Sequence, residues 1–548
     1  MKLLTYYHTL KYLKFSQFFY RAYKQFYTTV PKHVNGIQAE ITGEWLPYYL
    51  HDKKLFDDNR VCFLNVQGTI NLASDWNNAA HTKLWLYNLH YFDDLSARGA
   101  DARVGQHLEF IHRWINQNPA PLGNGWEPYP TSLRIVNWVK AFLTHLPADS
   151  EMLDSLAKQT DFLSRDLERH ILGNHLFSNA KALIFAGCYL DGKKASSWLS
   201  TGLGIYMKEL DEQVLGDGAN FELTPMYHVI MLLDLLDLLN IFMSYPDKIS
   251  QNILNETKRI ALKMLTWLQV MSHCDGELSF FNDTALGISP KNSIVFEYAS
   301  KLGLDSFLLS RVGGANLQLF DMANSGYVSV KSFDYSLIAD LSQVGPNYIP
   351  GHAHADTLSF EFSLFGQRVF VNSGISEYGL NEERLRQRKT AAHNTVSVNG
   401  MDSSVVWSGF RVAQRAIVKN RKTGLIDNVA SFSACHDGFK QQAVNCIHHR
   451  SWVADLSNIL ITDQLEGDFN SAVGYLHIHP DINIGNIKDG AVELSNSGYI
   501  LFMKIKGALL SIEESSWHPE FGIIMPNKKL SYQFLSDTVS IEISWIKK

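Results

Sequence analysis

The apolar residues of this chain change their repeat once, and that change limits the fold more than any other feature. From about Leu95 to Leu304 they recur at helical spacing, as in Met152–Leu172, Asn179–Leu190, Trp198–Leu210 and Ile253–Met271. After about Gly313 they fall into short β-branched or alternating runs bounded by turn residues. These are Tyr327–Phe333, Ser336–Leu341, Leu358–Leu364, Arg368–Asn372, Thr395–Val398 and Ile459–Leu465, followed by Tyr499–Ile505, Ala508–Ile512 and Val539–Ile546. A period of 3.6 buries one stripe of a helix and a period of 2 buries one face of a sheet, so the halves need different cores. The reading is an α+β multidomain chain. Residues 1–315 form a solenoid or toroid of α-hairpins, and residues 316–548 form an antiparallel β-sandwich. No low-complexity linker separates the halves near Lys301–Gln318, which predicts that they pack together with a cleft at their interface.

Bulk composition removes several function classes. At 548 residues the chain is too long for one ordinary core. Its formal charge of −6 comes without long runs of one sign, which gives no reason to expect nucleic acid as partner. A local basic cleft for a polyanion remains compatible with that balance. The five cysteines are scattered without CxxC spacing, which argues against a disulfide framework or a thiolate metal site. The first 26 residues carry lysines throughout and lack an apolar h-region, so they read as an amphipathic helix and not a signal peptide. The most apolar stretch, Val229–Met243, is broken by Asp234, Asp237 and Asn240 and reads as a buried helix, not a transmembrane segment. The expected location is cytoplasmic, with the periplasm by another route left open.

Four segments carry the residue types of a chemical site. In Gly351-His-Ala-His-Ala-Asp356, early extended geometry would alternate His352, His354 and Asp356 onto one face of the following strand. A basic loop, Arg386 to Thr395, runs into His393-Asn394 and suggests an anionic ligand. Gly173-Asn174-His175 sits between helices, where a loop can present both side chains to a cleft. In Phe221–His228, Thr224 reads as N-cap and Pro225 as the first helical residue. Tyr227 then lies in the first turn, where the positive helix end would stabilise a tyrosinate. A fifth stretch, Trp126 to Trp138, has two readings. Trp126 and Tyr129 could stack on sugar rings with Arg134 facing a carboxylate, or the helix could present a core face through Ile135, Trp138 and Val139.

Taken in order, these segments resemble the heparinase II/III family of polysaccharide lyases and are similar also to oligo-alginate lyases. Supporting stretches are Leu86–Asp93, Trp126–Trp138, Gly351–Asp356, Val371–Tyr378, Thr390–Val396 and Trp407–Arg411, within a match from roughly Phe63 to Ala416. The resemblance implies an incomplete α/α toroid followed by antiparallel sheets. It implies that Asn174 binds a uronate carboxylate, that His175 is a base or aids neutralisation, that Tyr227 is the acid and in some linkages the base as well, and that His352 lines the same cleft. Tyr378 matches a cleft tyrosine, and Arg388 is a candidate to help neutralise the carboxylate. His354, residue 372 and His393 correspond to the family's zinc triad. The usual Asp is replaced here by Asn372, a poorer ligand, so a metal would be weak, different or absent. Ser178 stands where some members carry Glu, and their sugar specificity does not transfer.

The implied reaction is β-elimination on an acidic, uronate-containing polysaccharide or oligosaccharide, with no organic cofactor. Two other readings stay open at this point. One is a catalytically weakened carbohydrate-binding protein of surface-polysaccharide assembly. The other is a metal-dependent glycan hydrolase built on His352, His354, Asp356 and His393. The polymer, endo or exo action and the oligomeric state are not legible in the sequence.

Overall fold

In the helical half, the segment Pro225–Ser244 carries apolar residues around most of its circumference, so as a helix it can only be stable buried on nearly every side. The computed structural model describes residues 2–34, 38–305 and 316–548. Its helices are α1 Lys2–Leu10, α2 Phe15–Phe26, α3 Lys83–Tyr91, α4 Val104–Gln117, α5 Pro128–Thr144 and α6 Ser150–Ser164, then α7 Gly173–Tyr189, α8 Lys193–Gln213, α9 Pro225–Ser244, α10 Gln251–Met271 and α11 Asn292–Lys301. α7 packs on α5, α8 and α9, and α9 packs also on α10 and α11, giving an incomplete α/α toroid. α9 is long and apolar enough to cross a membrane by composition, yet most of it is buried in the toroid. Its acids are met from neighbouring helices, with Lys181 bonding Asp234 at 2.8 Å and Asp237 at 2.7 Å.

Helices do not fill everything before residue 315. Arg60–Phe63 and Val66–Thr69 pair as an antiparallel hairpin. Leu64 and Asn65 at its turn have φ of 54° and 60°, the pair of positive values that a two-residue primed turn needs. Residues 38–59 wrap the toroid without forming a helix. The expected change of texture falls on residues 306–315, which lie outside the described residues.

From Gln318 onward the chain builds two antiparallel sheets, of nine and eight strands. The eight-stranded sheet alternates buried and open residues, as in Cys446–Ala454 and Tyr499–Lys506. The nine-stranded sheet behaves differently at its centre. Every residue of Tyr335–Asp340 and of Phe360–Leu364 is buried. One face meets the other sheet through side chains such as Phe362, Trp452 and Ile541. The opposite face meets the toroid, where Trp267 and Phe281 pack on Tyr327 and Ile338. Polar contacts cross the same boundary. Glu361 accepts from His273 Nε2 at 2.9 Å and from the Phe280 amide at 2.8 Å, and Arg368 pairs with Asp275 at 2.7 Å.

Several strands escaped the sequence reading, among them Val418–Ile426, Val429–His436, Ala472–Ile478 and Met525–Phe534. Val418–Ile426 lies at a sheet edge and is largely exposed, so its charged residues blur the alternation.

Inside the sandwich, Arg450 donates to Asp463 at 2.6 and 2.9 Å and to the carbonyls of Leu358 and Asn394 at 2.7 and 2.6 Å. Tyr532 and His448 also bond Asp463, at 2.9 and 2.7 Å. Burial opposes ionisation of Asp463, but Arg450 and His448 outweigh it and hold the group below its usual range. Asp463→Asn would leave the guanidinium buried without its counter-charge. The expected loss of unfolding free energy is about 3–5 kcal/mol, read from urea titration.

Candidate active site

The cleft begins where a loop from each half is stitched to the other. Asn282 accepts the His354 amide at 3.0 Å and donates to the Leu223 carbonyl at 2.8 Å. Its own amide donates to Asp356 Oδ2 at 3.0 Å, and the Asp283 amide donates to the His352 carbonyl at 3.1 Å. The Asp283 carboxylate then takes His352 Nδ1 at 2.8 Å and His354 Nε2 at 2.7 Å. Arg384 closes over it with both terminal nitrogens, one at 2.6 Å. Asp283 is fully buried, which opposes ionisation, but Arg384 and the two imidazoles hold its pKa well below the usual carboxylate range.

Around this carboxylate opens a cleft of about 930 Å³, lined from both halves by Tyr129, Asn174, His175, Glu222, Tyr227, His352 and Tyr378. Asn174 and His175 lie in the first turn of α7 and not in a free loop. His175 Nδ1 bonds Glu168 at 2.9 Å, and Glu168 is itself held by Asn179 Nδ2 at 3.1 Å. Burial pulls the His175 pKa down, but the Glu168 carboxylate outweighs it and the net shift is upward. The Tyr129 ring lies 4.4 Å from the His175 ring.

Tyr227 sits in the first turn of α9, with Pro225 at the helix start. Thr224 occupies the cap position, but its hydroxyl bonds the Glu222 carbonyl at 3.2 Å instead of a helix amide. The Tyr227 hydroxyl meets that of Tyr378 at 3.0 Å, and its ring lies 4.0 Å from the His352 ring. The expectation of a stabilised tyrosinate is overturned. Burial, with Tyr378, Asp283 and Glu222 nearby, raises the Tyr227 pKa well above its usual value, so the residue stays a phenol. Glu222 lies 3.7 Å from His352 Nε2, is 1% exposed, and has hydrogen bonds on neither oxygen. Burial raises its pKa against the opposing effect of His352 and His175.

Three expected sugar contacts lie elsewhere. Arg134 is fully buried with its guanidinium 3.8 Å over the Trp114 ring, bonded to Gln159 at 2.8 Å and to the His90 carbonyl at 3.3 Å. Trp126 packs on Trp114 and Phe162 and donates to the Asn118 carbonyl at 3.0 Å. Arg388 is buried and spends its donors on the carbonyls of Ala353, Ser408 and Arg411. It braces the histidine loop and does not face the cleft. The basic stretch before His393 starts in the last turn of helix α12, Glu382–Arg388, and continues into a short 3-10 turn at Thr390–Ala392. Asp356 does not share a strand face with the histidines, because the strand begins only at Phe360.

Among the candidate metal ligands, His354 Nδ1 and His393 Nε2 lie 3.1 Å apart. Two nitrogens bonded tetrahedrally to one zinc would be about 3.3 Å apart. Burial keeps both rings neutral, lowering His354 to about 4 and His393 well below its usual value. His393 Nδ1 is unpartnered, so the ring proton can move there and leave both facing nitrogens with lone pairs. Asn372 is buried nearby, its Oδ1 accepting the Asn394 amide at 3.2 Å and its Nδ2 unpartnered. Among the described residues no group of three His, Cys, Asp or Glu side chains is placed to hold a metal. The Asn372 amide is the side chain beside the two imidazoles that could add a third ligand.

The sequence reading missed Asp283, Glu222, Glu168 and Arg384. Glu222 and Arg384 lie within or beside the segments singled out above and Asp283 and Glu168 outside them, but in each case only the pairing with a distant histidine or loop gives the charge its meaning. The chain spans about half the length of the curated heparin-sulfate lyases it matches. That of Bacteroides stercoris is 25% identical over 400 residues, covering 68% of this chain and 55% of the relative. FtsZ-localized protein C of Caulobacter vibrioides is 26% identical over 487 residues, covering 79% and 77%. The crystal structure of a heparinase III superposes with a TM-score of 0.70 at 17% identity, covering 91% of this chain and 82% of that one. The model of the heparinase II/III N-terminus matches residues 2–302, and that of the heparinase II/III-like C-terminal region matches residues 314–546. With both halves matched in order over nearly its whole length, the chain belongs to the heparinase II/III family.

Proposed function

We propose that the cleft cleaves a uronate-containing polysaccharide by β-elimination. The observation that carries this reading is the pairing of a phenol with an oriented imidazole, Tyr227 lying 4.0 Å from His352. Asp283 accepts a hydrogen bond from His352 Nδ1–H, which in the neutral ring leaves Nε2 with the lone pair. His352 Nε2 removes the C5 proton of the uronate. The electron pair moves onto the carboxylate and returns to form the C4–C5 double bond as the C4–O4 bond breaks. Tyr227, held protonated, gives its proton to the departing oxygen. A positioned base or acid contributes on the order of 10²–10⁴-fold.

The carboxylate must be neutralised before C5 can lose a proton. Asn174 offers an amide, His175 a cation supported by Glu168, and Glu222 a carboxyl that burial favours in its protonated, donating form. One such donor aimed at developing charge is worth roughly 3–4 kcal/mol. Arg21 and Arg411, both exposed on the cleft lining, suit an anionic chain. The heparin-sulfate lyases among the relatives favour a sulfated or otherwise acidic glycan as the substrate class. A second reading is binding without turnover; besides the lyases, the chain also matches FtsZ-localized protein C over 79% of its length.

His354, His393 and Asn372 are the proposed zinc ligands, and a zinc there would tie the 351–356 and 390–394 loops together. No step above runs through it.

The test of function is the ultraviolet absorbance of an unsaturated uronate, screened over a panel of uronic polysaccharides. Tyr227→Phe is expected to lower kcat by about 10²–10⁴-fold with KM nearly unchanged. Full activity in that variant would overturn the mechanism, and no absorbance on any polymer would favour the binding protein. Glu168→Gln tests the neutralising cation. Removing the carboxylate takes away what holds the His175 pKa above its usual 6.5, so the alkaline fall of kcat/KM moves to lower pH. Asn372→Asp should raise zinc affinity at least about tenfold by calorimetric titration, since a carboxylate replaces a neutral amide.

A further inference from the structure

Helices α1 and α2 are packed the wrong way round for a soluble protein. α2 turns its polar side inward, with Gln17 buried, Lys14 bonded to Glu212 at 2.6 Å and Lys24 to Asp166 at 3.0 Å. α1 is held through Thr9, which accepts Trp407 Nε1 at 3.1 Å, and the intervening Tyr12 lies under Arg415 at 4.0 Å. The outward faces are apolar and follow helical spacing. On α2, Phe15, Phe19 and Phe26 are 83%, 53% and 89% exposed, with Phe18 and Tyr23 in the same stripe. On α1, Leu3, Tyr7 and Leu10 repeat the pattern. More than a third of the large apolar side chains exposed in the described molecule fall between Leu3 and Val30. A helix normally gives such a stripe to the core.

Charge identifies what covers it. The chain carries −6 overall, yet its first acidic residue is Glu40. Lys14 and Lys24 are used as anchors and Arg21 lines the cleft, while Lys11 and Lys32 stay exposed. We propose that the outward face of α1 and α2 docks on an anionic lipid surface, the aromatic rings entering the headgroup boundary and the cations meeting phosphates. A bilayer interface supplies both an apolar layer and negative charge, which is what amphipathic surface helices use. A second copy of this chain fits worse, because a twofold contact through this face would bring the same cations together. Thr9, Leu13, Gln17 and Arg21 also line the cleft, so docking would set the cleft mouth beside the bilayer.

The experiment is cosedimentation of the full chain with vesicles of equal phosphatidylglycerol and phosphatidylcholine, against phosphatidylcholine alone. Binding is expected with the anionic vesicles only and weakens in high salt. The variant Phe15→Ser/Phe19→Ser/Phe26→Ser is expected to bind at least about tenfold more weakly. Circular dichroism and melting temperature serve as the fold control, since these side chains face solvent. The proposal falls if the wild-type chain stays in the supernatant with anionic vesicles, or if the triple variant pellets equally well. It also falls if sedimentation velocity shows a self-association that the variant abolishes while vesicles are ignored. None of these outcomes depends on lyase turnover.

Discussion

Everything at the site depends on one buried carboxylate. Asp283 comes from the helical half, and its partners His352, His354 and Arg384 all come from the β half. A buried anion without partners is costly, and removing one member of such a cluster leaves the others uncompensated. Here two imidazole N–H groups and a guanidinium satisfy both oxygens. The same atom set joins the halves, fixes which nitrogen of His352 is free, and supports Arg384 under the Tyr378 ring at 4.9 Å. Structural and chemical roles are thus carried by one group of contacts.

The electrostatics of the cleft then separate by side. On the α7 side, Glu168 keeps His175 toward its cationic form. Around Tyr227 and Glu222, burial outweighs everything else and favours the neutral forms. The proposed elimination, which neutralises a carboxylate and later donates a proton, needs both conditions in one cleft. Two environments a few residues apart in space supply them, a cation with a fixed counter-ion and proton donors kept neutral by desolvation.

The sequence carried the architecture because period is a global property, summed over many residues, and single misplacements do not disturb it. Local geometry was legible where a motif limited the backbone, as for Pro225 at the helix start ahead of Tyr227, whereas Asn174-His175 read as a loop and stand in the first turn of α7. Site residues were not legible where the decision lay with a distant neighbour. Arg134 has the same helical phase whether it faces a cleft or Trp114, and only the packing of α4 against it decides. Arg388 reads as a free cation until three carbonyls are seen around it. The amphipathic character of residues 2–26 was readable too, but a hydrophobic stripe does not say whether it points inward.

The division of the chemistry between halves accounts for the character of their interface. The proposed acid, Tyr227, and the proposed neutralising residues Asn174 and His175 belong to the toroid, while the proposed base, His352, and its neighbour Tyr378 belong to the β half. A shift of one half by an ångström would separate acid from base, and misplacement of that size is enough to cost orders of magnitude in rate. Burial of the nine-stranded sheet on both faces resists such a shift by apolar packing, which is non-directional and tolerates sliding. The directional bonds from Glu361 to His273 and to the Phe280 amide, and from Arg368 to Asp275, fix the register that packing leaves free. His273, Asp275 and Phe280 lie just before Asn282 and Asp283 in sequence, so the register they fix is carried directly into the loop that holds Asp283.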